Sequence, residues 1–183
     1  MVEFKDEYRI LDVGCGMRKR EGAVGIDVNP RSDADVVHDL NITPYPFVSN
    51  HFDEIWCDNV LEHLDNVVKV MAELHRIAKP SARLTIIVPF YPHRQANTDP
   101  THLHWFGFHS FDYFTSGNSY ADFRYSGVRY DLLSAEYERG RTPQHWLDRM
   151  IKRFANRHPD LYENRFANLF PLRSLTFVLK AVK

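Results

Sequence analysis

The most informative stretch of this 183-residue sequence is residues 10–16, Ile10-Leu11-Asp12-Val13-Gly14-Cys15-Gly16. Its first four residues are typical of a short buried strand, and glycines follow at the carboxyl end of that strand. In open α/β sheets, ligands bind beyond the carboxyl ends of the strands, where neighbouring connections leave on opposite faces. Glycine suits such a loop because a side chain would hold the backbone away from the ligand. The stretch therefore predicts the first strand and the ligand-binding loop of an α/β fold.

Outward from this stretch, short apolar runs alternate with helical patterns, which predicts a mostly parallel sheet flanked by helices. The clearest helix lies before a fifth strand, where apolar residues from Val67 to Ile77 follow helical spacing, with Asp65 as its cap and Pro80 as its stop. We expect one Rossmann-like, doubly wound domain over residues 1–183, with an antiparallel last strand. The predicted strands are 8–13, 23–27, 34–38, 52–57, 84–88, 128–137 and 175–181.

The connection between the first two strands is unusually short. Only residues 14–22 are available for it, whereas a crossover with its helix needs at least about 10–12 residues. We therefore expect the first crossover helix to be shortened or absent.

The residues after the next two strands indicate what the glycine loop holds. Asp27-Val28 ends the second strand, where a carboxylate can accept hydrogen bonds from both ribose hydroxyls; Asp39-Leu40 follows the third, where Asp suits an adenine amine and Leu suits the ring. A third glycine for a pyrophosphate is absent, because Met17-Arg18-Lys19 occupies its place. The pattern favours a nucleoside ligand without phosphates over NAD or FAD.

Together with the turn Val60-Leu61-Glu62-His63 and the helix ending at Ile77-Ala78-Lys79-Pro80, these motifs occur in family order. In this respect the sequence resembles the class I S-adenosylmethionine-dependent methyltransferases, in the broad type 11 group. The resemblance runs from about residue 8 to 115, and more loosely through the last strand. It implies S-adenosyl-L-methionine as cofactor and methyl transfer by in-line displacement to a small or medium-sized acceptor, such as a metabolite, a sugar or a lipid-linked molecule.

The resemblance also implies cofactor-binding residues. Gly14, Cys15 and Gly16 would lie against the methionine part, Asp27 with Val28 at the ribose, and Asp39 with Leu40 at the adenine. Asp58 and Asn59 would line the pocket near the sulfonium. Because the first helix is short or missing, we suggest that Arg18 or Lys19 holds the cofactor's carboxylate; a solvated basic turn is the alternative.

Two histidines are candidates for the chemistry, since a hydroxyl or amine acceptor has to lose a proton and histidine exchanges protons near neutral pH. His63 follows strand four, and His102 lies in the long loop after strand five, which also carries His93, His104 and His109. We prefer His102, with His63 beside it, as base or acceptor-orienting residue. Alternatively, these histidines tie the loop down by hydrogen bonds.

A metal site is a second possibility. Glu62-His63 with a downstream His looks like the pattern of ubiquinone-pathway O-methyltransferases and small-RNA 2′-O-methyltransferases, which would imply a divalent ion. Those patterns carry a further Glu three residues earlier, where this chain has Asn59, a poorer ligand for a hard cation. We therefore assign no metal ligand, and leave open whether Glu62, His63 and His102 hold one.

Composition narrows the partners. The formal net charge of −1 gives no general attraction to nucleic acid. The sequence contains no run of 18 apolar residues, so we expect no membrane span. Its two cysteines are not in a metal-type pair, which suits a reducing cytoplasm. We expect a small-molecule acceptor, with segments 91–125 and 139–171 covering it and Trp105, Phe106 and Phe108 walling its pocket. The alternatives are a nucleic-acid methyltransferase, favoured by the basic residues in 139–173, and a cofactor-binding regulatory protein without turnover.

Overall fold

A single seven-stranded sheet organises the computed structural model, which describes residues 8–116, 120, 123, 125–138 and 145–183. The strand order is β3-β2-β1-β4-β5-β7-β6, and all neighbours are parallel except β7, which runs antiparallel to both β5 and β6. The predicted α/β fold, with its mostly parallel sheet and antiparallel last strand, is confirmed. The strands are β1 Ile10–Val13, β2 Ala23–Asp27, β3 Val36–Val37, β4 Phe52–Asp58, β5 Ala78–Pro89, β6 Arg129–Tyr137 and β7 Ser174–Val182.

The helices of the described residues lie mostly in the second half of the chain. They are α1 Val67–Ile77, α2 Arg94–Thr98, α3 Trp146–Arg157 and α4 Pro159–Arg165, with 3₁₀ turns at Leu61–His63 and Asp112–Phe114. None of these helices has the length and apolar character needed to cross a membrane.

The ends of α1 differ from the sequence prediction. Asn66 is the cap, since its side chain accepts a hydrogen bond from the amide of Lys69, whereas the Asp65 amide donates to the side chain of Asn41. The helix ends at Ile77, three residues before Pro80, because Ala78 already pairs with Phe52 at the start of β5. Pairing between strands therefore ends this helix before the proline does.

The first crossover contains no helix, as its length predicts. Residues 14–22 form turns, in which the Arg18 amide donates to the Cys15 carbonyl and the Ala23 amide to the Arg20 carbonyl. The loop continues the sheet at its start, because the Gly14 amide donates to the Ile26 carbonyl of β2 at 2.8 Å.

The core lies on the face of the sheet where Leu11, Ile55, Leu84 and Leu179 meet in register, each at most 2% exposed. Met71 and Leu74 of α1 belong to the same buried cluster. Each such side chain contributes about 1.5–3 kcal/mol through its removal from water. The buried face therefore holds β1, β4 and β5 together.

The strand order reverses between β1 and β4, since the chain moves from β1 to β2 and β3 on one side and from β4 to β5 on the other. The loops that follow β1, β4 and β5 leave from the same edge of the parallel sheet. Ligands of open α/β sheets bind at this kind of reversal. The fold thus brings together the loops that carry the predicted site residues.

Candidate active site

The glycine loop is shaped by two left-handed residues. Gly14 has φ +65° and lies against Val60: a Cβ here would stand 2.5 Å from the Val60 Cγ2 atom. Gly16 has φ +55°, and a Cβ there would meet no atom within 4 Å. Gly14 is therefore required by the packing of the protein itself, whereas Gly16 borders open space at the ligand edge.

Asp27 connects this loop to the end of β2. Its Oδ2 accepts a hydrogen bond from the Gly16 amide at 2.9 Å, and its Oδ1 accepts one from the Asn29 amide at 2.8 Å. A carboxylate has about four acceptor positions, so two remain for a ligand. The adjacent Val28 is 61% exposed and offers an apolar surface beside them.

Of the predicted residues Asp39 and Leu40, Asp39 lies at the ligand edge and Leu40 lies in the core. Asp39 is half-buried and its Oδ1 accepts from the Asn41 amide. Leu40 is 4% exposed and packs in the core, where its carbonyl accepts from the Tyr45 hydroxyl. Of the predicted apolar residues at this edge, Val28 rather than Leu40 is open to a ring.

A cavity of about 460 Å³ lies beside the glycine loop, at the ends of β1 and β4. We call it the β1–β4 cavity. It brings together five of the predicted cofactor residues with two that sequence reasoning missed. Its lining consists of Asp12, Gly14, Cys15, Arg18, Arg20, Asp58 and Asn59.

The basic residues of this loop have separate roles. The Lys19 ammonium bonds the Asp35 carboxylate at 2.7 Å, so Lys19 is used inside the protein. Arg18 lines the β1–β4 cavity, and its side chain forms no ion pair among the described residues. Of the two predicted partners for a carboxylate, Arg18 is the one whose charge is available.

Arg20 covers part of the sheet surface that a first crossover helix would cover. Its guanidinium stacks on Trp56 of β4, 3.6 Å from the ring centroid, and lies 3.6 Å from the Asp58 carboxylate. The Arg20 amide donates to Asp12, which is 4% exposed and whose pKa is raised by burial. A signal for this arrangement was available: an acid inside the apolar run of β1 needs a nearby cation.

A second cavity, of about 720 Å³, lies between the turn after β4 and the segment after β5. We call it the Glu62 cavity. Asn59 lines both cavities. Asn59, Glu62, His63 and His102 stand out in the sequence, whereas the other lining residues belong to β5, to α2 and the loop after it, and to the start of β7 with the residue before it. The full lining is Asn59, Glu62, His63, Ile87, Pro89, Gln95, Thr98, Asp99, Pro100, His102, Arg173 and Ser174.

Glu62 is fully buried, and neither of its carboxylate oxygens has a hydrogen-bond partner among the described residues. Burial raises the pKa of Glu62 to about 7, against smaller lowering effects of its own amide and of a charged His102. Its backbone carbonyl accepts from the amides of Leu103 and His104, which attach the loop after β5 to this turn.

His63 and His102 meet at this place, with ring centroids 4.6 Å apart. The His63 Nδ1 lies 2.9 Å from the Thr101 hydroxyl, which donates to the Asp99 carboxylate at 2.7 Å. The His102 Nδ1 lies 3.0 Å from the Ala96 carbonyl. The two predicted catalytic histidines therefore lie together, and each forms a hydrogen bond through its Nδ1 atom.

The other histidines of the loop hold it in place. His93 caps α2 by accepting from the Gln95 amide, His104 donates to the Leu64 carbonyl, and His109 bonds Asp112 and Asp160. Hydrogen bonds within the protein therefore hold these three histidines, and His102 forms one too, with the Ala96 carbonyl. His102 is the one whose ring reaches the Glu62 cavity.

The aromatic wall expected from the sequence is not found among the described residues that line the Glu62 cavity. Phe106 is buried and stacks on Phe111, Phe108 stacks on Tyr137, and Trp105 is 56% exposed. Phe106 and Phe108 pack against other aromatic rings under the loop, and mostly polar side chains line the cavity.

Comparisons with known proteins concern the domain and the fold. Residues 11–86 match the model of a methyltransferase domain, type 11. An uncharacterized protein of Methanocaldococcus jannaschii is 30% identical over 99 residues, which cover 47% of this chain and 43% of that protein. The chain therefore spans less than half the length of that relative.

Two solved structures show the same fold. An S-adenosylmethionine-dependent methyltransferase from Archaeoglobus fulgidus has a TM-score of 0.58 at 18% identity, covering 97% of this chain and 87% of that one. The YcgJ protein from Bacillus subtilis has a TM-score of 0.58 at 16% identity, covering 99% and 94%.

The matched residues contain β1, the glycine loop, Asp27 and the Glu62-His63 turn, and end inside β5. Residues 11–86 of the chain therefore match a methyltransferase domain, and the sheet has the fold of S-adenosylmethionine-dependent methyltransferases of known structure.

Proposed function

We propose that this protein transfers the methyl group of S-adenosylmethionine to a small or medium-sized polar acceptor. The observation that carries the proposal is that two cavities meet at Asn59, which lines both. Residues of the glycine loop line the β1–β4 cavity, and His63 and His102 line the Glu62 cavity. An in-line displacement needs donor and acceptor aligned on either side of one point. Two cavities that share Asn59 offer adjoining places for the donor and the acceptor.

The residues of the chain fit the cofactor. Gly16 leaves space at the loop, Asp27 keeps acceptor positions for ribose hydroxyls, and Val28 offers an exposed apolar surface for the adenine. Arg18 suits the carboxylate of the methionine part, while Cys15, Asp39, Leu40 and Asp58 stay predictions as contact residues. When bound, S-adenosylmethionine supplies an activated methyl group on its sulfonium.

The chain's own contribution on the other side is to orient the acceptor. His63 and His102 are each hydrogen-bonded through Nδ1, which leaves Nε2 as the atom for an acceptor or its proton. Arg173, Gln95 and Asp99 add charge and hydrogen-bonding groups to the lining. A polar metabolite or sugar matches this cavity better than an apolar one does.

Segment 91–104 is the part of the predicted covering elements that the proposal retains, because Gln95 to His102 form one side of the Glu62 cavity. Parts of both predicted elements, residues 117–119, 121–122, 124 and 139–144, lie outside the described residues. We propose one domain over residues 1–183 and a cytoplasmic location, which the two free thiols support.

The test combines cofactor binding with turnover. Calorimetry with S-adenosylhomocysteine should show Asp27→Ala weakened by about 1–3 kcal/mol, since polar groups lose a partner. Against a panel of hydroxylated metabolites and sugars, His102→Ala should lose at least about tenfold in turnover at unchanged cofactor affinity. His93→Asn, which keeps a cap on α2, is the matched control. Unchanged cofactor affinity in Asp27→Ala would remove the cofactor assignment.

A further inference from the structure

The Glu62 carboxylate presents an electrostatic problem that the described residues do not solve. Both oxygens are buried and have no hydrogen-bond partner in the part of the chain that the structure describes. A carboxylate in such a place is normally paired, hydrogen-bonded or bound to a metal ion. A bound cation would offset the charge of this carboxylate and bond one of its oxygens.

The two neighbouring imidazoles have the tautomers of metal ligands. The Thr101 hydroxyl donates its one hydrogen bond to the Asp99 carboxylate, so its oxygen accepts from the His63 Nδ1–H. The Ala96 carbonyl can only accept, so the His102 Nδ1 is the donor there. In the neutral rings, each Nε2 therefore carries a free lone pair. Hydrogen bonds of this kind at the far nitrogen orient metal-binding histidines.

We propose that Glu62, His63 and His102 bind one divalent transition-metal ion that faces the Glu62 cavity. One donor atom from each residue lies within 4.8 Å of the others. Bonds of about 2.0–2.2 Å allow two donors on one ion to be up to about 4.4 Å apart. Small side-chain adjustments therefore complete the site. With three protein ligands, further coordination positions stay open toward the cavity.

The donor set selects the kind of ion. Two imidazoles with one carboxylate suit Zn²⁺, Fe²⁺, Co²⁺ or Mn²⁺, whereas Mg²⁺ requires octahedral oxygen ligands. The neighbouring residue on this turn is Asn59, whose amide nitrogen donates to Asp58 at 2.7 Å and which brings no second negative charge. The site is therefore a nitrogen-rich one, and we expect it to discriminate against Mg²⁺.

This inference deepens the proposed function, because an ion here would bind the acceptor's oxygen and make its proton easier to remove. The imidazoles would then hold the ion instead of taking the proton themselves. Ion binding itself does not depend on methyl transfer, so the two proposals can fail separately.

The experiment measures metal binding directly. Protein stripped with a chelator is titrated by calorimetry with Co²⁺, Zn²⁺ and Mg²⁺, and the Co²⁺ complex is followed by its visible absorption. We expect one equivalent of Co²⁺ and of Zn²⁺, with Mg²⁺ at least 100-fold weaker. Glu62→Gln should weaken Co²⁺ at least about tenfold, and Thr101→Val, which removes only the orienting hydroxyl, by about 10–100-fold.

His93→Asn is the control, since His93 lies in the same loop but outside the site; it should bind Co²⁺ as the unaltered protein does. Absence of Co²⁺ and Zn²⁺ binding at millimolar concentration, equal affinity in Glu62→Gln and His93→Asn, or tighter binding of Mg²⁺ would each overturn the proposal. Stoichiometric Co²⁺ binding without methyl transfer would count against the proposed function alone. Chelator-insensitive methyl transfer without ion binding would count against this inference alone.

Discussion

Three glycines with the same left-handed backbone have different neighbours and therefore different reasons for being glycine. Gly14, Gly16 and Gly22 have φ of +65°, +55° and +74°. A Cβ at Gly14 would collide with Val60, whereas at the other two it would meet no atom within 4 Å. At all three positions a left-handed backbone would strain any other residue, only Gly14 also faces a collision, and only Gly16 is proposed to approach the ligand.

This comparison yields a prediction for three alanine variants. Gly22→Ala should lower the free energy of unfolding by about 1–2 kcal/mol, the cost of left-handed backbone. Gly14→Ala should lower it by about 1–3 kcal/mol more, because the collision adds overpacking. Gly16→Ala should match Gly22→Ala in stability but bind S-adenosylhomocysteine at least about tenfold more weakly, about 1.4 kcal/mol.

Urea denaturation and calorimetry measure the two quantities. Equal stability losses for Gly14→Ala and Gly22→Ala would show that Val60 moves aside without cost. Unchanged cofactor affinity in Gly16→Ala would show that the ligand does not approach this loop.

At the scale of elements, His109 joins the 3₁₀ turn Asp112–Phe114 to α4. Its Nδ1 lies 2.6 Å from the Asp112 carboxylate and its Nε2 2.7 Å from the Asp160 carboxylate. Burial lowers the pKa of His109, but the hydrogen bonds and charges of the two aspartates outweigh it, so the pKa is raised overall. The charged imidazolium thus bridges two elements.

The direction of the shift sets the pH dependence. A histidine whose folded pKa is raised contributes stability below its unfolded pKa of 6.5, and this contribution is lost as pH rises through the folded value. We expect amide exchange in α4, corrected for its intrinsic pH dependence, to become faster relative to α1 between pH 6 and pH 9. Asp160→Asn should reduce this dependence. The same pH dependence in Asp160→Asn would contradict the bridge.

The loop over residues 14–22 shows how an element is replaced. A helix would cover β1 and β4 with apolar side chains, whereas here Arg20 stacks on Trp56 and approaches Asp12 and Asp58. A cation over an aromatic face is worth about 0.5–2 kcal/mol. The long Arg20 side chain thus covers part of the sheet that a helix would otherwise cover, and it also lines the β1–β4 cavity.

At the scale of the whole molecule, the two cysteines report on unfolding and on the cavity. Cys57 is fully buried on β4, and burial raises its pKa well above the usual range. Cys15 is 7% exposed, lines the β1–β4 cavity, and has a pKa raised to about 11 by burial and by the charges of Asp27 and Asp12. Both are free thiols.

We predict that neither thiol reacts rapidly with Ellman's reagent at pH 8, because little thiolate is present and access is restricted. Both should react in urea above the unfolding midpoint. Labelling of Cys15 in the folded protein should slow further with S-adenosylhomocysteine, whereas the labelling rate of Cys57 should follow global unfolding. Rapid native labelling of Cys57 would contradict its place in the core.

Local patterns in the sequence were sufficient for the strands and for the absence of a first crossover helix. Apolar runs located the strands, and a nine-residue connection excluded a full first helix; the ligand loop at the two glycines and Asp27 stays a prediction. Each of these properties depends on residues close together in the chain. Backbone sterics, apolar periodicity and loop length act over such short separations.

The acceptor side depended on contacts between distant residues. His63 meets Thr101 across 38 positions, and His109 meets Asp160 across 51. Nothing in the sequence distinguishes which of the four loop histidines lines a cavity; after folding, His102 lines the Glu62 cavity. Apolar packing buries Phe106 in the core. The partners of a polar side chain are set by which surfaces meet after folding, so tertiary structure determined that Glu62 is buried beside two imidazoles.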